Sequence, residues 1–207
     1  MKGPGVVWQG LGNREHHGPR LTAPAFTHRL TADQVTLIRR MTKGTTIGGF
    51  SEVPGNTGAH RQQTVGSDGT IGHAGELVTS LYLFGTDKPW LDKTLTSLGR
   101  ADHGDDFIGV NIEVKTRRWN KGERGEVELL LDTRDVDKPG ARDRVYVLVQ
   151  ANGVDRYDSV EVGTTMEVWG WCMLGDCQPI QIGRKMKHGI QAQFMRPLPP
   201  YRWAHVV

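Results

Sequence analysis

The stretch "GDDFIGVNIEVKTRRW", Gly104 to Trp119, decides how this chain is read. Ile112 and Val114 alternate with polar neighbours, the pattern of a half-buried strand. The other face of that strand carries Glu113 and Lys115, with Asp105 and Asp106 just upstream. A two-residue turn of Gly109 and Val110, glycine first as type II′ requires, sets Ile108 against Asn111 and Phe107 against Ile112. Asp106 then stands opposite Glu113 with Cβ atoms about 5 Å apart, and Lys115 shares their face. A three-residue turn would select Asp105 instead.

Two carboxylates held that close repel each other unless a cation lies between them. Hard oxygen donors with positions left open for water and phosphate suit Mg²⁺ or Mn²⁺. A neighbouring lysine is a point charge for a phosphate oxygen or an attacking water. Together these are the means for metal-assisted hydrolysis of a phosphodiester. The plain alternative is a solvated hairpin face whose Glu–Lys pair contributes little.

The 207 residues suffice for one domain with a core, or one domain with a long appendage. A formal charge of +3 excludes a strong field at a distance. The local cluster Lys115, Arg117, Arg118, Lys121 and Arg124 therefore matters more than the total. No apolar run follows the first residues as in a secretory leader, and no stretch approaches a membrane span, so a cytoplasmic protein is expected. Cys172 and Cys177 lack two further ligands at zinc spacing, with only His188 nearby, and read as reduced thiols.

Residues 1–72 read as an irregular extension with one helix, and 73–207 as the main domain. The helix is "TADQVTLIRRM", opened by a capping box of Thr31 and Gln34, with Val35, Ile38 and Met41 at helical spacing. Gly44 to Gly72 is full of turn residues and reads as a long loop, either mobile surface or a flap over a site. A second helix fits "HAGELVTSLYLF", with Glu76 in its first turn, where the helix dipole favours an acid. A third, short helix should follow Pro89. Strands are expected at Gly125–Leu131, Arg144–Gln150 and in "TMEVWGWCML", and "DTRDVDKPGARDR" as a loop or one turn. Helices first and strands later give an α/β fold, a central mixed sheet flanked by helices.

Asp106, then Glu113-Val114-Lys115, with Glu76 in "HAGELVTSLYL", resemble the motif of the PD-(D/E)XK nuclease superfamily: an acid, then acid-x-lysine on the next strand, and a helical glutamate. Glu113-x-Lys115 is the only acid-x-lysine triplet in the chain. The resemblance covers roughly residues 72–150, and the short hairpin and tryptophan-bearing late strand are similar to small phage or actinobacterial members. The proline of the motif is replaced by Asp105, the gap between the acids is short, and the helix usual after the third strand is not evident. The resemblance implies a restriction-endonuclease-like core. It also implies Mg²⁺ or Mn²⁺ held by Asp106, Glu113 and Glu76, with Lys115 completing the catalytic set.

Around Trp119, the cations Arg117, Arg118, Lys121 and Arg124 suit a phosphate backbone with a stacked base. A solvated turn, with the tryptophan covering a sheet edge, accounts for them equally. The expectation is a metal-dependent DNA nuclease, an endonuclease since no processive clamp is visible, acting on DNA alone or as a homodimer. Two other classes compete: an inactive nucleic-acid binder on the same fold, and a structural or assembly protein.

Overall fold

The most apolar run of the chain, β4 (Val145–Asn152), is buried on both faces. Val147, Val149 and Ala151 enter one apolar cluster, and Tyr146 and Leu148 enter another. Side chains alternate along a strand, so a strand buried on both sides must be continuously apolar. This computed structural model describes residues 20–49, 59–97, 106–119, 127–155, 158–182 and 185–198.

The first cluster is closed by helices α1 (Ala32–Gly49), α2 (Ala59–Phe84) and α3 (Lys88–Ser97). Val35 and Ile38 of α1, Leu77 and Val78 of α2 and Trp90 of α3 are its buried members. The second cluster is closed by a small antiparallel sheet of β3 (Glu128–Asp132), β7 (Lys185–Gln191) and β6 (Gln178–Ile182), in that order. Leu129, Leu131 and Ile190 are its contribution. Between the two clusters lies a mixed sheet in the order β1 (Phe26–Arg29), β5 (Thr165–Met173), β4, β2 (Ile112–Trp119). β4 runs antiparallel to β5 and parallel to β2. Parallel neighbours need a crossover. Here it holds β3 and a single helical turn, α4 (Thr133–Val136).

The chain is thus α/β with a mixed sheet. The long helices cover one face of that sheet, and a second sheet covers the other. Strands β2, β3, β4 and β5 lie where the sequence pattern puts them, within a few residues. The Thr31–Gln34 capping box is present in both directions, at 3.0 and 3.3 Å. α3 begins one residue before Pro89, which its first turn tolerates.

The expectation of a structureless run from Gly44 to Gly72 is corrected. Residues 44–49 continue α1 and residues 59–72 open α2, with residues 50–58 outside the described ones. The boundary expected at residue 72 falls inside α2, and Ile71 shares one core with Leu77 and Val147. Two glycines of α2, Gly69 and Gly75, mark close packing. A Cβ on Gly69 would come 2.9 Å from Thr42 Cγ2, and one on Gly75 1.9 Å from Thr116 Oγ1. Gly75 lets α2 lie against the Ile112–Val114–Thr116 face of β2.

Two substitutions in one helix are therefore expected to act in opposite directions. Alanine is favoured over glycine in a helix by about 1 kcal/mol, and Gly72→Ala, whose new Cβ meets nothing within 4 Å, should gain up to that amount. Gly75→Ala should instead lose about 1–3 kcal/mol to overpacking. Urea unfolding curves of the two variants check both signs.

Candidate functional site

The hairpin turn before β2 is shifted by one residue from the expected one. Phe107 pairs with Val110, the Val110 N–H donates to the Phe107 carbonyl at 3.3 Å, and the central residues are Ile108 and Gly109. Gly109 has φ 73°, the left-handed value that a type II turn demands at its third position. The expected type II′ turn, with glycine first, is replaced by one with glycine second. The Ile112 N–H then donates to Val110 O at 2.8 Å, a three-residue turn that puts Asn111 out of register. Asp106 consequently meets Ile112, its N–H donating to the Ile112 carbonyl at 2.9 Å, and does not stand opposite Glu113. Its carboxylate Oδ2 accepts the backbone N–H of Val114. Asp106 is 7% exposed and clamps the first residues of β2.

Glu113 and Lys115 do share a face, and they touch: Lys115 Nζ donates to Glu113 Oε1 at 2.6 Å. Glu113 is only 5% exposed, and two further cations reach it. Lys138 Nζ donates to Oε1 at 3.0 Å and Arg144 Nη1 to Oε2 at 3.1 Å. Arg144, itself 4% exposed, also donates from Nε to Asn111 Oδ1 at 3.3 Å. A second acid completes the group. Asp135 Oδ1 takes Lys115 Nζ at 2.8 Å and lies 3.3 Å from Lys138 Nζ, while its Oδ2 accepts the Asp132 N–H at 3.0 Å.

Sequence reading misses Asp135, Lys138 and Arg144. Their signal was the charged run "DTRDVDKPGARDR" between two strands. Only knowledge that the second of those strands, β4, is a parallel neighbour of β2 would bring it back to Glu113.

Lys115 and Asp135 favour each other's charged form. Burial pulls the Lys115 ammonium toward losing its proton, but the Glu113 charge and bonds to Asp135 and Glu113 outweigh it, so its pKa is raised. Burial would raise Asp135, but its bond to Lys115, the Lys115 charge, the Asp132 N–H and Lys138 together hold its carboxyl below the usual 3.8. Burial pushes the Tyr146 hydroxyl up, and the Glu113 charge adds to it. Tyr146 is the β4 residue paired with Glu113.

The helical acid does not join them. Glu76 stands in the middle of α2, since that helix begins at Ala59, so its expected place in a first turn is corrected. Its partner is His73, Nδ1 to Oε2 at 3.2 Å. α2 packs on the Ile112–Val114 face of β2, opposite to Glu113 and Lys115. Among the described residues, no three His, Cys, Asp or Glu side chains gather as a group able to hold a metal ion. The expected three-carboxylate set is therefore reduced to Asp106 and Glu113. These two are engaged separately, Asp106 by the Val114 N–H and Glu113 by Lys115, Lys138 and Arg144, so as they stand they do not form a site for a divalent ion. Cys172 and Cys177 are free thiols with their sulfurs 3.8 Å apart.

The basic residues divide by parity. Arg117 lies on the Glu113–Lys115 face, donating to Glu128 at 2.9 Å, with its guanidinium 5.9 Å from the Trp119 ring centre. Arg118 points the other way, to Asp68 at 2.6 Å, and so leaves the expected basic row. Lys121 and Arg124 lie outside the described residues. Among the described residues, no helix is long and apolar enough to cross a membrane. Compared with known proteins, the chain matches no family model, no curated protein and no solved structure.

Because Asp135 has a depressed pKa, it contributes stability that is present above the ordinary carboxylate range and lost as pH falls through its folded value. Asp135→Asn should cost about 1–3 kcal/mol at pH 7, the range for hydrogen bonds to charged groups. The difference from wild type should shrink as the pH is lowered below 3.8. Unfolding curves measured from pH 7 down to pH 2.5 test both parts.

Proposed function

We propose that this protein is a metal-dependent DNA nuclease of the PD-(D/E)XK kind, with a restriction-endonuclease-like core. One observation carries the reading: Glu113 and Lys115 are in contact on one face of β2, at the end of the strand that Asp106 clamps. The parallel pairing of β2 with β4 across a crossover supports it, since the resemblance implies a mixed sheet around the acid-x-lysine strand.

On this reading Asp106 and Glu113 are the ion's ligands, which requires both carboxylates to give up the partners they have here. When bound, it supplies a water of lowered pKa and neutralises charge on the leaving oxygen. Lys115 stays an ammonium at neutral pH, so its part is that of a donor to a phosphate oxygen or to the attacking water, not of a general base. Asp135 fixes where that ammonium points. Arg117 and Trp119 continue the same face for about 13 Å beyond Lys115, at 3.3 Å per residue. That length accommodates a short run of phosphates, with the indole as a stacking surface. Glu76 is left out of the catalytic set.

A second reading draws on one specific observation, the three cations gathered on Glu113. They would also suit a protein that grips DNA on this platform without cutting it. Activity decides. Plasmid, linear, branched and single-stranded DNA are incubated with Mg²⁺, Mn²⁺ or EDTA. Wild type should cleave at least one substrate in a metal-dependent way, and Glu113→Gln and Lys115→Ala should each lose about 100-fold or more. Glu76→Gln should stay within about threefold of wild type, being remote from the chemistry. DNA binding indifferent to metal, with no cleavage by any preparation, would favour the non-catalytic binder.

A further inference from the structure

The two cysteines of the chain, Cys172 and Cys177, meet at the corner that joins the two sheets. Cys172 lies at the end of β5, Cys177 stands just before β6, and the 3-10 turn Leu174–Asp176 separates them. That turn folds the chain back on itself. The Cys177 N–H donates to Leu174 O at 3.1 Å, and the Met173 N–H to Asp176 Oδ2 at 2.9 Å. The sulfurs are thereby brought to 3.8 Å. A disulfide bond is about 2.05 Å long. The remaining approach is within reach of a rotation of the Cys177 side chain, whose backbone is extended. The two thiols differ in access. Cys172 is wholly buried beside Tyr146 and Leu148, and its bond to Cys177 together with burial holds its thiol protonated well above the ordinary range. Cys177 is half-buried and is the thiol that a reagent reaches first. The same turn also fastens residues 192–198, which run as a strap along β5. Arg196 and Trp171 exchange backbone hydrogen bonds at 2.9 and 3.0 Å, and the Arg196 guanidinium donates to Asp176 Oδ1 at 2.8 Å.

We propose that Cys172 and Cys177 are a redox-closable pair: a small disulfide compound oxidises them to one intramolecular disulfide, which fixes the Leu174–Asp176 turn and, through Asp176, the strap at Arg196. The Cys177 thiolate attacks one sulfur of the compound R–S–S–R and breaks its S–S bond. The R–S⁻ released takes up the proton that Cys177 gave, and Cys177–S–S–R remains. Capping Cys177 weakens the bond that held the Cys172 proton. Cys172 then loses that proton, attacks the Cys177 sulfur and expels the second R–S⁻, which is protonated in turn. Two thiols have lost two electrons and two protons, and R–S–S–R has become two R–SH. The chain has no third cysteine, so no other internal pairing competes.

The test uses the full chain, reduced with dithiothreitol, desalted and incubated with oxidised glutathione. Samples are quenched in acid, alkylated after unfolding and measured by intact-mass spectrometry. Wild type should lose two hydrogens and take no alkyl group, and dithiothreitol should reverse both. Cys172→Ala should stop at a single glutathione adduct, whereas Cys177→Ala should stay unmodified, its remaining thiol being buried. Wild type that keeps two alkylatable thiols, halts at the adduct or cross-links to a second copy overturns the proposal. These outcomes are read on the wild type, so they stand even where a variant fails to fold. An adduct on a folded Cys177→Ala overturns the order of attack. Hydrogen exchange then reads the strap. The Arg196 amide, bonded to Trp171 O, should exchange about tenfold or more slowly in the oxidised form, from the constraint that a disulfide adds. Unchanged or faster exchange there, with the disulfide formed, overturns the lock on the strap and leaves the closure standing.

Discussion

A carboxylate taken almost entirely out of water is costly to bury, and Glu113, 5% exposed, is such a group. Desolvating an ion costs several kcal/mol unless close partners compensate. The partners come from three places in the chain: Lys115 from β2 itself, Lys138 from the turn after α4, and Arg144 from the residue before β4. Satisfying one charge therefore fastens the last part of the crossover to the start of β2. Asp135 strengthens the tie by joining both lysines and by accepting the Asp132 N–H. The residues that compensate the buried charge are the same ones that form the candidate site.

The sheet separates two chemistries by the alternation of β2. Ile112 and Val114 look toward the helices and meet an apolar core. Glu113, Lys115 and Arg117 look the other way and meet carboxylates or cations of the crossover. Glu76 belongs to the helical side, so the sheet itself keeps it from the charged group. β2 is also the last strand of the mixed sheet. On the nuclease reading, DNA would approach along that free edge, where Asp106 already takes one of the exposed N–H groups.

Much of the frame was legible in residue patterns. The Thr31–Gln34 box marks the start of α1 because its atoms are local. The unbroken run in β4 announces burial on both faces, and the alternation in β2 sorts its residues correctly. The first half of α2 was not legible. "GSDGTIG" has the composition of a turn, and Gly69 there and Gly75 just beyond make sense only against Thr42 and Thr116, which are distant in sequence. β6 and β7 escaped for a related reason: short polar segments with Pro179 and Gly189 become strands through pairing with each other and with β3.

The sequence by itself determined that Glu113 and Lys115 would lie side by side, since a strand's period of two needs no partner to be read. It also determined that β4 would be interior and that a glycine turn would precede β2. Tertiary structure alone decided which groups surround Glu113. Lys138 and Arg144 reach it only because β4 returns parallel to β2, and Glu76 misses it because α2 packs on the other face. Local periodicity states which way a side chain points, whereas the charge it meets is set by long-range pairing that no short window contains.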